Sequence, residues 1–126
     1  MTQKKYLSGG DRFGTHRVLA PKGVLPQQAQ ELESALPIYE NEMLIDVEAL
    51  NIDSASFHQI KEACGGESRR VEHHIMGLVE TQGKHQNPVT GSGGMLIGTV
   101  REIGPQFMEG RHVSERVKVG DRVATL

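Results

Sequence analysis

Four groups of residues have the types and spacing from which chemistry is built. The largest is the polar stretch 84–94, where His85, Asn87, Thr90 and Ser92 place an imidazole, a carboxamide and two hydroxyls on one glycine-rich loop. Such a set donates and accepts hydrogen bonds, and the imidazole moves a proton near neutral pH. The same residues also suit a solvated loop in which Asn87-Pro88 starts a turn. Within the stretch, Gly91-Ser-Gly-Gly94 invites comparison with a phosphate cradle. Leu96 stands where a dinucleotide fingerprint needs its third glycine, no strand precedes the segment, and the lysine and hydroxyl of a P-loop are missing. A tight turn that lets backbone approach closely is the better reading. His73 and His74, with His85, raise the question of a metal. Adjacent histidines on a helix point about 100° apart, so a solvated helix face is expected and no metal site is assigned. Lastly, Asp53 and Ser54 follow an apolar strand, and either suits a helix N-cap.

These residues need elements to hold them. Residues 43–50 alternate, with Met43, Ile45, Val47 and Ala49 on one face and Asp46 and Glu48 on the other, which predicts a strand with one buried face. It runs into a helix over 56–63, capped by Asp53 or Ser54 and stopped at Gly65-Gly66. A second helix is predicted over 67–82, with Val71, Ile75, Leu78 and Val79 at helical spacing and Gly83 closing it. Residues 95–103 read as a strand in which Gly98 marks a bulge or close approach. Residues 117–126 read as a hairpin through Gly120-Asp121. Earlier in the chain, 1–14 is expected to be a loose arm, 15–20 a short strand, and 27–36 about two turns of helix between Pro26 and Pro37. Strands early and late with helices between them favour an α+β domain, a mostly antiparallel β-barrel with helical insertions, over alternating βαβ units.

The composition narrows the class. A chain of 126 residues suits one domain, here 15–126 behind the arm. Its net charge of −2 gives no electrostatic case for nucleic acid or an anionic membrane. No apolar run approaches the roughly 18 residues of a membrane span, and the first residues lead into no signal segment. The single cysteine, Cys64, excludes an intrachain disulfide and a four-cysteine zinc site. A cytoplasmic setting is the economical expectation. The sequence stops at Leu126 inside an apolar strand pattern, so it reads as the N-terminal portion of a longer protein.

Gly98-Thr-Val-Arg-Glu-Ile-Gly104, followed by Val117-Lys-Val-Gly-Asp-Arg-Val123, resembles the GroES-like N-terminal barrel of medium-chain dehydrogenases and quinone oxidoreductases. A closer resemblance rests on Gly14-Thr-His-Arg-Val, Pro21-Lys-Gly-Val-Leu-Pro26, Leu50-Asn-Ile-Asp-Ser-Ala-Ser-Phe57 and the 83–94 stretch. That set is similar to the L-erythro-3,5-diaminohexanoate dehydrogenase family of bacterial lysine fermentation. The resemblance implies NAD-dependent oxidative deamination of a small diamino acid at its 3-amino group, giving 5-amino-3-oxohexanoate and ammonia. It also implies a Rossmann domain beyond residue 126 that holds most of the NAD, and a homodimer.

The departures from the zinc alcohol dehydrogenases carry information. Their catalytic cysteine falls at Asp53, their Gly-His-Glu motif falls around Gly93-Gly94-Met95, and their cysteine-rich structural lobe has no counterpart. A zinc site of that type is therefore not expected. Their relay histidine falls at His58, but Ala55 replaces the hydroxyl that would link it to substrate, which leaves His58 a cofactor-side candidate or a plain helix-surface residue. Oxidising an amine by hydride transfer requires a neutral nitrogen with a free lone pair, starting from an amine whose pKa is about 10, so the site must contain a base. On the resemblance, Asp53, Ser54 and His85 are the catalytic candidates, and Asn87, Thr90 and Ser92 the substrate-binding ones. Two other readings share the barrel: a zinc-free quinone or enone reductase domain, which needs an uncharged pocket, and a non-enzymatic GroES-like interaction module.

Overall fold

The computed structural model describes residues 5–89, 91, 94–107 and 116–125. Its backbone is an antiparallel ladder between β3 (Met43–Ile52) and β4 (Gly94–Ile103), extended by β5 (Arg122–Thr125) on the far side of β4. The helices α1 (Ser54–Ala63) and α2 (Ser68–Gln82) lie between β3 and β4 in the chain. A separate two-stranded sheet pairs β1 (Val18–Ala20) with β2 (Glu31–Leu32).

Two irregularities decide which side chains share a face of the larger sheet. The register passes from Val47↔Gly98 to Ala49↔Ile97, so Glu48 is an extra residue on β3, and a second shift lies between Leu44 and Ile45. Because direct partners in an antiparallel pair lie on one face, the bulge moves Leu50 and Ile52 onto the side of Met43, Ile45 and Val47. Ala49 goes to the opposite side, a correction to uninterrupted alternation. On that opposite side Glu48 accepts from Thr99 Oγ1 at 2.8 Å and pairs with Arg122, while Asp46 meets Arg101. The apolar side is only partly covered, since Val100 is 1% exposed but Val47 is 53% and Leu50 43% exposed. Gly98 sits where a side chain would run into the Asp46 carbonyl and Ile45, so the close approach expected of it is present.

The helices follow their caps. Asp53 Oδ1 accepts the Ser56 N–H at 2.8 Å and starts α1, and Gly65 and Gly66, both at positive φ, end it. Gly83 closes α2 at φ 72°, directly against the Leu32 carbonyl of β2. Lys84 then donates to the Pro26 carbonyl at 2.7 Å. The core is small and aliphatic: Val18, Ala29, Ile38, Ile60, Val71 and Val100.

Three expected elements differ. Residues 27–36 form no helix; one turn closes at Ala29, whose N–H reaches the Leu25 carbonyl, and the chain then extends into β2. Pairing with Val18 and Ala20, and the Glu33 N–H to Arg17 carbonyl bond of 2.7 Å, outweigh the modest helix preference of the glutamines. The strand expected over 15–20 begins as a 3-10 turn, Thr15–Arg17. The hairpin at 117–126 is a turn over Lys118–Asp121 that delivers only β5, and β5 pairs with β4 rather than with the residues before the turn. The fold is thus α+β with antiparallel sheets, but no closed barrel exists among the described residues. Closure requires a staggered, tilted ring of strands, and a three-stranded and a two-stranded sheet do not make one.

The segment before β1 is held by charge. Leu7 exchanges backbone hydrogen bonds with Ile38 and Glu40. Arg17 grips Glu42 through Nε at 2.8 Å and NH2 at 2.7 Å and also donates to the Ala35 carbonyl. The Asp11 N–H donates to His16 Nδ1 at 3.0 Å, which leaves the proton on Nε2 to reach Glu42 at 3.0 Å. Burial alone would push the Glu42 carboxyl up, but donors from Arg17, the Tyr39 N–H and His16 outweigh it and bring it down to about 2. The folded value lies below the ordinary 4.5, so its stabilisation is present above that pH and lost as pH falls towards 2. Glu42→Gln is expected to cost about 2–3 kcal/mol near neutrality in urea unfolding. The difference from the parent should shrink steadily below pH 4.5.

Candidate functional site

The last rungs of the β3–β4 ladder, Asn51↔Met95 and Ile52↔Gly94, set the exit of β3 beside the entry of β4. Whatever leaves β3 therefore meets whatever enters β4. The first is Asp53 with α1, and the second is the loop from Lys84. Asn87, 1% exposed, donates from Nδ2 to Gln59 Oε1 of α1 at 2.8 Å and accepts the Val89 N–H at 3.0 Å. His85, two residues earlier, lies within electrostatic reach of Asp53 at the start of α1 and of His74 on α2. On α1, Asp53, Ser56 and Gln59 recur every three residues and line one face. His85 is 8% exposed and also packs by Gly94, where an added Cβ would lie 3.7 Å from its Cδ2.

This junction gathers unmet polar atoms. Asp53 Oδ2, Ser56 Oγ and both ring nitrogens of His85 are buried without a hydrogen-bond partner among the described residues. Buried polar atoms are nearly always paired, so four together at one place call for an explanation. The imidazole is held below its usual value chiefly because burial disfavours the charged ring; the Asp53 carboxylate offsets part of this and His74 of α2 adds to it. His85 is accordingly a neutral, proton-accepting ring near pH 7.

Another cleft, of about 490 Å³, lies over His16, Arg17 and Glu42. Its His16, Arg17 and Glu42 already satisfy one another, and among the buried side-chain atoms of the described residues there Asn41 Oδ1 alone lacks a partner, so it is the weaker candidate. A second cleft of about 450 Å³ borders the Asn87 loop and is lined by the carboxamides of Gln28, Gln30, Gln82, Gln86 and Asn87.

Of the residues singled out in the sequence, Asp53 and His85 are brought together, and Asn87 anchors the loop that carries His85. Asp53 does double duty, as helix cap with one oxygen and as an unpaired acceptor with the other. Ser54 is exposed, and the serine that reaches the junction is Ser56. Its sequence signal was the three-residue step from Asp53. His58 lies on the outer face of α1, 73% exposed, paired with Glu62. Thr90 and Ser92 lie outside the described residues. No cluster of three metal-ligating side chains is present among the described residues, and none of their helices is long and apolar enough to cross a membrane.

The described residues do not fit a dinucleotide. Gly94 opens a strand rather than a helix, and the two helix N-termini are preceded by the carboxylates of Asp53 and Glu67, which repel a pyrophosphate.

Two curated relatives are dehydrogenases by name. The L-erythro-3,5-diaminohexanoate dehydrogenase of Acetoanaerobium sticklandii is 52% identical over 117 residues, covering 93% of this chain and 33% of the relative. The protein of the same name from Fusobacterium nucleatum subsp. nucleatum is 53% identical over the same shares. The chain thus spans about a third of the length of these relatives. The family model for the L-erythro-3,5-diaminohexanoate dehydrogenase N-terminal domain matches residues 16–126, and the chain belongs to that family.

The site generates a pH prediction. The His85 value in the folded chain lies below the ordinary 6.5, so the unfolded chain takes up more protons as pH falls, and stability is lost below that value. In denaturant titrations, His85→Gln should show a smaller loss of unfolding free energy than the parent between pH 7.5 and 5.5, about one unit either side of the ordinary imidazole value.

Proposed function

We propose that a full-length protein carrying this chain oxidatively deaminates L-erythro-3,5-diaminohexanoate to 5-amino-3-oxohexanoate with release of ammonia, in lysine fermentation. NAD is the hydride acceptor, and the chain supplies an open, GroES-like substrate-side domain. In the relatives two thirds of the length lies outside the matched part, and there we place the Rossmann domain that binds NAD. The reading rests on one observation above others: at the β3–α1 junction one oxygen of the Asp53 carboxylate and the neutral ring of His85 are buried within electrostatic reach of each other, without hydrogen-bond partners among the described residues.

The chemistry of an amine substrate uses such a pair. Asp53 attracts the ammonium, and His85 receives its proton, leaving the lone pair on nitrogen that expulsion of a hydride requires. The uncharged donors of Gln28, Gln30, Gln82 and Gln86 line the neighbouring cleft, where the rest of a small zwitterion finds hydrogen bonds. A quinone or enone is a poorer match, because an uncharged substrate gains nothing from a buried carboxylate. A non-enzymatic module gives no reason for two relatives at 52% and 53% identity to be named as dehydrogenases.

Coupled turnover of the full-length protein with 3,5-diaminohexanoate and NAD should produce NADH, and its absence refutes the assignment. Asn is as good an N-cap as Asp. Asp53→Asn is therefore expected to leave the melting temperature nearly unchanged while lowering kcat by about 100-fold or more. If Asp53 only capped α1, both the melting temperature and kcat of Asp53→Asn would stay near those of the parent.

A further inference from the structure

We propose that Ser56, with Asp53 and His85, forms a pocket for a primary ammonium group, and that the reacting amine of the substrate docks there. This rests on the deaminase reading for the identity of the substrate, but the pocket itself is argued from the atoms at the junction.

Three residues present four buried polar atoms there that have no partner among the described residues. Asp53 Oδ2 and Ser56 Oγ are acceptors, and a neutral imidazole offers one further acceptor nitrogen. An alkylammonium carries three N–H donors, so one –NH3+ satisfies one acceptor on each residue. The charge fits as well, one positive group against the carboxylate of Asp53. A carboxylate or phosphate ligand would instead face that carboxylate at close range. Ser56 is fully buried and its backbone N–H is already given to Asp53 Oδ1, so the serine is fixed in place and its hydroxyl remains to be used. The Asn87–Gln59 bond does the same for His85, holding its loop on the face of α1 that carries Ser56.

Proton transfer balances within this set. One N–H bond of the ammonium breaks, its electron pair stays on the amine nitrogen, and a new N–H bond forms on the imidazole. The positive charge moves from substrate to His85 and remains beside Asp53. Ser56 accepts from the ammonium and then from the neutral amine, and so orients the nitrogen without taking the proton itself.

The test separates the pocket from the reaction. His-selective 15N labelling of the full-length protein, with His85→Gln identifying the signals, is titrated with n-propylammonium and with tetramethylammonium. Propylammonium should shift the His85 ring signals, and tetramethylammonium, of equal charge but without N–H donors, should not. Ser56→Ala should weaken propylammonium binding about tenfold and raise KM for 3,5-diaminohexanoate by a similar factor, the scale of one hydrogen bond to a charged group. Because it deletes an unpaired buried hydroxyl, the same substitution should leave the ligand-free melting temperature unchanged or higher. Equal shifts with both cations, or a Ser56→Ala variant that melts lower yet binds propylammonium as the parent does, would overturn the pocket. Shifts of His85 by propylammonium in a protein that does not turn over 3,5-diaminohexanoate would keep the pocket and overturn the deaminase reading.

Discussion

The antiparallel ladder between β3 and β4 is the constraint on which the rest of the molecule depends. Its last rungs join Asn51 and Ile52 to Met95 and Gly94, so the chain that leaves the sheet after Ile52 must return to the place it left. Both helices and the polar loop are that excursion. Asp53 and His85 are separated by more than thirty positions in the chain, and the ladder makes them neighbours. Removing side chains at the tight rungs is part of the arrangement: Gly98 admits the Asp46 carbonyl, and Gly94 admits the Asn51 carbonyl.

The division of labour within Asp53 illustrates how one residue serves fold and chemistry together. One carboxylate oxygen begins a helix, which fixes the side chain; the other is buried with no partner among the described residues. Anchoring by the first oxygen is what gives the second a defined position. Asn87 acts in the same manner at the loop, spending both ends of its amide on Gln59 and Val89 and thereby fixing its neighbour but one. Such supporting bonds are what hold reactive groups in geometry.

Much of this was legible in the sequence because it depends on local rules. The caps of α1 and α2, Asp53 and Gly83, mark their helices by residue type alone, and Gly98 announces a close approach. Asp53 and His85 stood out as chemical residues, and the resemblance put both among the catalytic candidates. What could not be read depends on contacts far apart in the chain. Residues 27–36 have helical preferences that β1 overrides by pairing. The bulge at Glu48 changes the face of every later β3 residue, which no alternation pattern reveals. Ser56 looked no different from its near neighbour Ser54, and only its burial sets it apart. The grip of Arg17 on Glu42 joins residues 25 positions apart and carries no local signature.

Among the described residues, the order of the larger sheet leaves β3 with a neighbour on one side only, so its ten residues run along an outer border. Long flat borders of this kind recruit strands from other molecules and grow into fibrils. Here the two register shifts crimp the strand, and the carboxylates of Asp46 and Glu48, each tied to an arginine, leave little flat, uncharged length for an incoming strand. The distortion that reshuffles the faces of β3 therefore also guards the molecule against self-templated aggregation, and straightening it for the sake of regularity would remove that guard.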